Sequence, residues 1–509
     1  MTSPNGPPLL LLVELGNGLA VEQNGAAMVY PPLGLASLAS TLRAHFGKRA
    51  LRVHVLDAAL EARDSATLAS SIVAEEPWIV GLRALSPTRA LLHQVAATLK
   101  ALRPELPILA GGPAAHASPD LLLSDPHLEL VCPGEGEQAL ISLLEILLPL
   151  RNLPRPLPVV PGLLGRTAAG GRLDGGTAIL VDPLDLLPPP ALEDLNLRAY
   201  IGQHAHPALL RPHAFLMTTR GCPCACAYCH QLFGRKVRRR SAGHLLAELT
   251  SLRQEHGIED IVLLDDAFNL DLGEAKHVLA TVAKAKLGLR LYFPNGLRGD
   301  RVDEELLDLL VAAGTVEVVY ALETASPRLQ ELLGKRLNLE AVQRTIERSA
   351  ARGLIVGTFF MLGFPGEREE ELLATADLAI ANLDHLHFPY IAIVRAFRGT
   401  RLYTLARELG YPEAMLERHA DLALGCWEGI RSEDNFVPVK NLRRAQNRIL
   451  AAFCEPSRMS RMLTVQRQYF SSDELVLRYR SFLGCSSDES RAFLRRCWPL
   501  EPEGVNLLP

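Results

Sequence analysis

The sequence predicts an α/β protein with two successive sheets and a helical C-terminal region. Short apolar runs alternate with helical patterns over residues 1–148, and the same alternation returns over residues 206–400. Residues 401–509 are mostly helical in pattern and rich in arginine. Alternating β/α units favour parallel sheets, whose strands are buried on both faces. The proline-rich stretch 149–205 is predicted to be a stiff linker that wraps between the two sheets.

The first unit is predicted to be an open, doubly wound (Rossmann-like) sheet, because helical patterns such as Leu33–Phe46 and Ala90–Leu102 separate its apolar runs. The candidate strands are Leu9–Val13, Leu51–Leu56, Trp78–Leu82, Pro107–Ala110 and Leu128–Val131.

Ligands of doubly wound sheets bind outside the carboxyl ends of the strands. Five residues at those ends are therefore candidate ligand contacts: Arg83, Gly111, Gly112, Gly134 and Glu135. Glycine lets a ligand approach the backbone closely. A simple turn at Gly111-Gly112 and a surface arginine at position 83 are the alternatives.

The second unit is predicted to be a partial TIM-like (β/α) barrel, with helical patterns such as Ala242–Glu255 and Leu337–Arg352 between its strands. Reactive groups of such barrels gather at the mouth formed by the carboxyl ends of the strands. The candidate strands are Phe215–Thr218, Asp260–Leu264, Arg290–Phe293, Val316–Leu322, Ile355–Leu362 and Tyr390–Arg395.

The most informative motif follows the first strand of this second unit. Cys222, Cys226 and Cys229 form a C-x3-C-x2-C run, which places three thiolates on one short loop. Three thiolates can hold three corners of a [4Fe–4S] cluster and leave the fourth iron open for chemistry. A zinc knot that also uses Cys224 is the alternative, although zinc motifs usually come as two separated pairs. The role of Cys224 stays open.

Charge and composition exclude several classes of function. The net charge of −4 argues against a general nucleic-acid binder, and no apolar stretch is long enough to predict a membrane span. The run Leu9–Val13 is too short for a signal peptide and is predicted to be a strand. Clustered cysteines without an export signal favour the cytoplasm. For the basic run 235–240 we expect a local role near the cysteine loop or a solvated face, and RNA binding is the less favoured alternative.

The cysteine loop, with Thr218-Thr-Arg-Gly-Cys-Pro223 before it and Tyr228-Cys-His230 at its end, resembles that of the radical S-adenosylmethionine (radical SAM) enzymes. The resemblance implies that the open iron binds the amino and carboxylate groups of SAM, which is then cleaved to a 5′-deoxyadenosyl radical. Residues 25–145, with Pro31-Pro32-Leu33-Gly34-Leu35 and Gly134-Glu-Gly-Glu137, resemble the cobalamin-binding domain that precedes many radical SAM cores.

The resemblance implies four parts: a cobalamin-binding domain at 1–148, a linker at 149–205, a radical SAM core at 206–400 and a helical domain at 401–509. We expect the last part to cover the barrel mouth. Many cobalamin domains carry an Asp-x-His-x-x-Gly loop whose histidine binds cobalt, but the loop Glu14–Ala20 has no histidine. Our hypothesis is that the lower face of the cobalt is left to water or to a side chain after the third strand, where Arg83 could cover it.

Further candidate SAM contacts follow from this resemblance. Glu323 and the hydroxyl of Thr324 are similar to the family's Glu-Ser position. Asp266 offers an acceptor after a strand, Arg298 could pair with the SAM carboxylate, and Gly363 lies in a turn that resembles the one beside adenine. The alternative for each acid is an ordinary helix cap.

The resemblance implies three cofactors: a [4Fe–4S] cluster, S-adenosylmethionine and cobalamin. The favoured function is a cobalamin-dependent C-methyltransferase, with SAM as radical source and, through methylcobalamin, as methyl source. A radical SAM oxidoreductase or cyclase and a non-catalytic cobalamin and Fe–S sensor are the alternatives. Expected partners are a small-molecule or peptide substrate and an electron donor such as a flavodoxin or ferredoxin.

Overall fold

The computed structural model describes residues 6–16, 29–58, 64–154, 156–167, 170–203, 205–266, 268–420 and 434–497. Within these ranges the chain forms two larger sheets, a two-stranded ribbon and a C-terminal group of helices. Most of the loop Glu14–Ala20, on which the missing histidine was noted, lies outside the described residues.

The first sheet has a parallel core of five strands in the order β2-β1-β3-β4-β5. Because the order reverses between β1 and β3, a crevice opens outside their carboxyl ends. This arrangement confirms the predicted doubly wound fold. The strands are β1 (Leu9–Glu14), β2 (Arg52–Asp57), β3 (Ile79–Arg83), β4 (Ile108–Gly111) and β5 (Leu130–Val131).

Helices cover both faces of this sheet, and alternate residues of β1 enter different cores. Leu10 and Leu12 pack in the core shared with the first helix of this unit, and Leu11 and Val13 pack in the core on the opposite face. The described helices are α1 (Leu33–Phe46), α2 (Ser65–Ala74), α3 (Arg89–Leu102), α4 (Pro113–Ala117), α5 (Pro119–Leu123) and α6 (Glu137–Leu150).

A short hairpin extends the sheet beyond β5, inside the stretch that was predicted to be only a linker. The first strand of the hairpin, β6 (Leu164–Arg166), pairs antiparallel with β5. The second strand, β7 (Arg172–Asp174), pairs antiparallel with β6. Strands of three residues carry too little periodicity to be recognised in a sequence. The rest of the stretch includes short 3₁₀ turns, one of them at Leu184–Leu186.

The second sheet contains six parallel strands in chain order, which confirms the partial barrel. A separate antiparallel ribbon, β9 (Thr219–Arg220) with β10 (Arg238–Arg239), lies between its first two strands in sequence. The sheet strands are β8 (His213–Leu216), β11 (Asp260–Leu263), β12 (Arg290–Leu297), β13 (Thr315–Glu323), β14 (Ile355–Leu362) and β15 (Phe388–Ile393).

Helices alternate with these strands as the sequence predicts. Ser241 caps the first of them by accepting a hydrogen bond from the backbone N–H of His244 at 3.2 Å. The helices are α7 (Ala242–Gln254), α8 (Leu272–Ala285), α9 (Glu304–Ala312), α10 (Pro327–Leu332), α11 (Leu339–Ala351) and α12 (Glu369–Ala381).

The C-terminal region is helical, but most of it lies at the end of the barrel opposite to the one expected. The helices are α13 (Arg401–Glu408), α14 (Glu413–Ala420), α15 (Val439–Phe453), α16 (Pro456–Gln466), α17 (Ser472–Leu483) and α18 (Ser487–Cys497). Arg478 of α17 pairs with Glu317 near the amino end of β13, and Arg290 at the start of β12 donates to the Tyr469 carbonyl at 2.8 Å. The expectation that this region covers the mouth is therefore wrong for α16 to α18.

The reason for this placement is apolar packing. An open barrel leaves the side chains at the amino ends of its strands uncovered, and Phe453, Phe470 and Tyr479 pack there against Phe388. Helix α13 lies on the mouth side, where the Leu402 N–H donates to a carbonyl of the cysteine loop at 2.7 Å. Among the described helices, none has the length and apolar character to cross a membrane.

Candidate active site

The cysteine-bearing loop, residues 221–237, leaves and re-enters the barrel through the ribbon of β9 and β10. The Cys222 N–H donates to the Gly234 carbonyl at 3.1 Å, which closes the loop near its base. Gly221 has a φ of +93°, and a Cβ there would collide with the Lys236 carbonyl. Glycine is therefore required at this position to bring the two ends of the loop together.

The three predicted cluster ligands face one cavity at the barrel mouth. Cys222, Cys226 and Cys229 are free thiols that line a cavity of about 260 Å³. The hydrogen bond from Cys229 lowers the pKa of Cys226 to about 7, and the positive charge of Lys335 acts in the same direction against burial. The same hydrogen bond raises the pKa of Cys229. Metal ligation requires thiolates. Of the three predicted ligands, Cys226 loses its proton most readily, because its pKa is lowered while those of Cys222 and Cys229 are raised.

This loop fits a [4Fe–4S] cluster. Each cysteine of a cubic cluster binds its own iron, so the three sulfurs need not converge on one point. The described part of the chain has no set of three His, Cys, Asp or Glu side chains that could hold a single metal ion.

Cys224 lies in the same cavity and contacts a predicted SAM residue. Arg298 donates from Nη1 to the Cys224 sulfur at 3.8 Å, and its Nε donates to Asp300 at 2.9 Å. The hydrogen bond from Cys222 lowers the pKa of Cys224 to about 5, and Arg298 adds to this effect. The structure thus brings Arg298 to the cysteine loop, where Asp300 and Cys224 already engage its guanidinium.

Glu323 lies at the end of β13 in a conformation that is unusual for a side chain with a Cβ. Its φ is +73°, and the pairing of β13 with β14 shifts register between Ala321 and Glu323. Its carboxylate accepts a hydrogen bond from the Tyr228 hydroxyl at 3.0 Å and pairs with Lys335 at 3.2 Å. Such strain is typical of functional sites. Glu323 lines the same cavity as the cysteines, as predicted for a SAM contact.

Sequence reasoning missed Lys335, the buried cation between Glu323 and the thiols. Glu323 and the thiols of Cys226 and Cys229 raise the pKa of Lys335 against burial, so it is charged in the folded protein. The feature of the sequence that could have indicated Lys335 is the glycine before it. Gly334 has a φ of +69°, and a Cβ there would lie 2.9 Å from the Ala225 carbonyl of the cysteine loop. This close approach carries Lys335 to the site.

Gly363 lies away from these contacts. Its N–H donates to the Glu367 carboxylate at 2.5 Å, and a Cβ there would lie 3.1 Å from Leu442. Gly363 lines neither the cavity of the cysteine loop nor a larger cavity between the two sheets. The cavity lining therefore gives no support to the predicted contact between Gly363 and adenine.

A second, larger cavity of about 490 Å³ lies between the carboxyl ends of the two sheets. The five residues predicted at the strand ends of the first sheet line it: Arg83, Gly111, Gly112, Gly134 and Glu135. The second sheet and the cysteine loop contribute the opposite wall, including Leu216, Met217 and Phe233. The lining is mainly apolar, which suits a large flat cofactor.

The two glycines of this cavity differ in their surroundings. Gly112 has a φ of +86°, and a Cβ there would lie 2.7 Å from Cγ of Arg83. The Arg83 guanidinium forms an ion pair with Glu14 at the end of β1. In front of Gly111 there is open space, because a Cβ there would meet no described atom within 4 Å. A cofactor could therefore approach the backbone at Gly111, as predicted.

Buried ion pairs connect the two units beside this cavity. Arg220 of β9 donates to Glu135 at 2.9 Å and to Glu137 at 2.8 Å, and it also reaches the Ser37 hydroxyl at 3.1 Å. Arg238 of β10 donates to Glu135 at 3.0 Å through Nη1 and pairs with it again through Nη2. The solvated-face alternative for the basic run is therefore wrong for Arg238, which is 2% exposed.

The carboxylate of Glu135 is engaged by protein side chains and not only exposed to the cavity. It lines the larger cavity, as predicted for a cofactor contact, but arginines of the second unit engage both of its carboxylate oxygens. Its observed contacts fix the second unit against the first.

The two cavities meet, because Phe233, Asp266 and Asn295 line both of them. Asp266 follows β11 and Asn295 lies in β12, so both belong to the barrel mouth. A group bound at the cysteine loop and a group bound over the first sheet would therefore face one shared gap.

Two protein families match parts of the chain. The radical SAM superfamily matches residues 216–379, which include the cysteine loop and most of the second sheet. The B12 binding domain matches residues 25–144, which include most of the first sheet.

Similar proteins agree with these matches. An uncharacterized methyltransferase of Pyrococcus horikoshii is 28% identical over 381 residues, which cover 74% of this chain and 78% of the relative. Cytidylyl-2-hydroxyethylphosphonate methyltransferase of Streptomyces wedmorensis is 30% identical over 335 residues, which cover 60% and 62%. The solved structure of the radical S-adenosylmethionine methyltransferase TsrM of Kitasatospora setae has the same fold, with a TM-score of 0.68 and 19% identity over 96% of this chain and 98% of that chain.

Three thiols at a barrel mouth agree with the match of residues 216–379 to the radical SAM superfamily. The chain combines this region with one that matches the B12 binding domain, residues 25–144. The TsrM structure contains cobalamin and a [4Fe–4S] cluster. The structure of OxsB, which is 20% identical with a TM-score of 0.60 over 81% of this chain and 56% of that chain, contains aqua-cobalamin and S-adenosylmethionine. These are the three cofactors that the sequence predicts for this chain.

Proposed function

We propose that the protein is a cobalamin-dependent radical SAM C-methyltransferase. The observation that carries the proposal is the meeting of the two cavities at Phe233, Asp266 and Asn295. Methyl transfer between two cofactors requires both to reach one substrate, and a shared gap provides this proximity. When bound, the cofactors supply radical formation at the cluster and a methyl group at cobalt.

The chain's own residues hold and orient these groups. We assign Cys222, Cys226 and Cys229 to the cluster, with the positive charge of Lys335 balancing the thiolates. We assign Glu323 to the amino group of SAM, because a buried carboxylate accepts hydrogen bonds from a cation well. Lys335 and Arg298 are the cations on that side that could meet the SAM carboxylate.

On the side of the first sheet, Gly111 and Gly134 leave room for cobalamin. Arg83, tethered by Glu14, would lie beside bound cobalamin, and its protonated guanidinium could not serve as a ligand of cobalt. The predicted division into parts at 1–148, 149–205, 206–400 and 401–509 is kept as part of this proposal with one change: the hairpin of β6 and β7, inside 149–205, belongs to the first sheet.

Methyl transfer is favoured over cyclisation because both relatives described above are named as methyltransferases. A small molecule or a peptide is the proposed substrate, and a flavodoxin or ferredoxin the proposed electron donor. We place the protein in the cytoplasm, because its free thiols and an oxygen-sensitive cluster need a reducing compartment.

The experiment is anaerobic reconstitution with all three cofactors, a reductant and SAM labelled in its methyl group, followed by mass analysis against a host extract. A labelled product heavier by one CH2 supports the proposal. A product that loses hydrogens without label supports the cyclase or oxidoreductase. Failure to form 5′-deoxyadenosine from SAM in the fully loaded protein supports the sensor. The Cys226→Ala protein, treated in the same way, is the control for label that enters without the cluster.

A further inference from the structure

The charged side chains around the two cavities are almost all neutralised by neighbours. In the larger cavity, ion pairs involve Arg83, Glu135, Glu137, Arg220, Arg240 and Glu248. In the smaller cavity, Arg298 pairs with Asp300, and Glu323 pairs with Lys335. These partners leave little net charge for a ligand to meet.

Asp266 is the exception. Within the described part of the chain, its carboxylate has neither an ion pair nor a hydrogen bond, and the residue is exposed to the open space where the two cavities meet. A carboxylate in that position is available to a cation or a hydrogen-bond donor of a ligand. Asp265, next to it in sequence, is different: it is buried and accepts hydrogen bonds from Thr218 and Thr219.

Asn295 adds a second acceptor at the same junction. Its amide nitrogen donates to the Leu264 carbonyl at 2.8 Å, and none of the described residues donates to its amide oxygen. Phe233 contributes an aromatic ring to both cavities. The junction therefore offers a carboxylate, an amide oxygen and an aromatic ring, a combination that suits a cation next to an apolar group.

We propose that Asp266 and Asn295 bind a protonated nitrogen of the substrate, so that the substrate is an amine or amidine whose apolar part lies near Phe233. This inference rests on the proposed function and names the substrate class of the same site. It replaces the earlier assignment of Asp266 to SAM, because Glu323 already supplies the acceptor beside the cysteines, whereas Asp266 lies where the two cavities meet.

The first measurement is equilibrium dialysis of the reconstituted holoenzyme with labelled SAM. We expect Asp266→Asn to bind SAM within about two-fold of the wild type, and Glu323→Gln to bind it at least about ten-fold more weakly, the loss expected for a hydrogen bond to a charged group. The shift in the EPR spectrum of the reduced cluster on SAM addition should follow the same order. Loss of SAM binding in Asp266→Asn would overturn the inference.

The second measurement identifies the charge of the substrate. A host extract is separated by ion exchange into cationic, neutral and anionic fractions, and each is incubated with the holoenzyme and methyl-labelled SAM. We expect label in the cationic fraction, reduced at least about ten-fold in Asp266→Asn and partly restored in Asp266→Glu. Asp308→Asn, a change to an exposed carboxylate on α9, is the matched control and should match the wild type.

The outcomes separate this inference from the proposed function. Label in the neutral or anionic fraction, or equal labelling by Asp266→Asn, overturns the inference and leaves methyl transfer standing. Absence of label from every fraction counts against methyl transfer itself, and the inference falls with it.

Discussion

Arg220 and Glu135 form a buried ion pair of 2.9 Å that joins the base of the cysteine loop to the end of the first sheet. Arg238 holds the other carboxylate oxygen of Glu135. The pair lies in the wall of the larger cavity, so the contact that joins the two units also borders the gap between them.

We expect Glu135→Gln to lower the free energy of unfolding by about 3 kcal/mol, because Arg220 and Arg238 would be left as poorly compensated buried charges. Chemical denaturation of the apoprotein measures this loss. The control is Glu304→Gln, which removes an exposed partner of Arg352 and should cost at most about 1 kcal/mol. Equal losses in the two variants would contradict the assigned role of the buried pair.

Replacement of any one of Cys222, Cys226 and Cys229 by alanine should abolish the cluster, since a site with two thiolates cannot hold three corners of a cube. Iron and sulfide analysis and EPR of anaerobically reconstituted protein check this, and product formation should fall below detection. Cys224→Ala is the matched control, because it removes a neighbouring thiol of the same cavity, and it should retain about four irons per chain. Loss of the cluster in Cys224→Ala with retention in Cys226→Ala would reverse the ligand assignment.

Gly112→Ala should destabilise the apoprotein by about 1–2 kcal/mol, because position 112 has a positive φ and the new Cβ would press on Arg83. Gly111→Ala should leave apoprotein stability nearly unchanged, since the space before it is open, but should lower cobalamin occupancy by filling that space. Thermal unfolding and the absorption of bound cobalamin measure the two effects. Normal cobalamin binding by Gly111→Ala would show that the cofactor does not approach there.

Glu367 should make stability depend on pH. Burial raises its pKa to about 7 from the ordinary value of 4.5, so the unfolded chain loses this proton first as pH rises. The free energy of unfolding of the wild type, relative to that of Glu367→Gln, is therefore highest below pH 4.5. This difference declines by about 3 kcal/mol as pH rises to 7. Denaturation of both proteins across this range measures the decline.

The control for this pH effect is Glu369→Gln, which changes an exposed carboxylate two residues away. Its difference from the wild type should stay constant over the same range. A pH-independent difference between the wild type and Glu367→Gln would mean that Glu367 is ionised throughout.

Much of the fold follows from local patterns. The helix predicted at Leu33–Phe46 and the strand predicted at Ile355–Leu362 have these same bounds in the structure, because long apolar periodicities record burial directly. The hairpin of β6 and β7 was not predicted, since its strands depend on the free edge of β5 more than on their own residues. The position of α16 to α18 was predicted wrongly, because an amphipathic pattern shows that a helix packs without showing where.

By itself, the sequence determined the cysteine loop and the order of the β/α units, and its motifs indicated the cofactors that are proposed. These depend on residues close together in the chain. Tertiary structure alone decided which charges are paired: Glu135 meets Arg220 across 85 positions, and Lys335 reaches Glu323 through a tight turn. Asp266 lines the cavity of the cysteine loop with no partner among the described residues. The physical reason is that the spacing of apolar residues along the chain indicates which residues are buried. The partner of a charge, in contrast, depends on which distant segments the topology brings within a few ångströms.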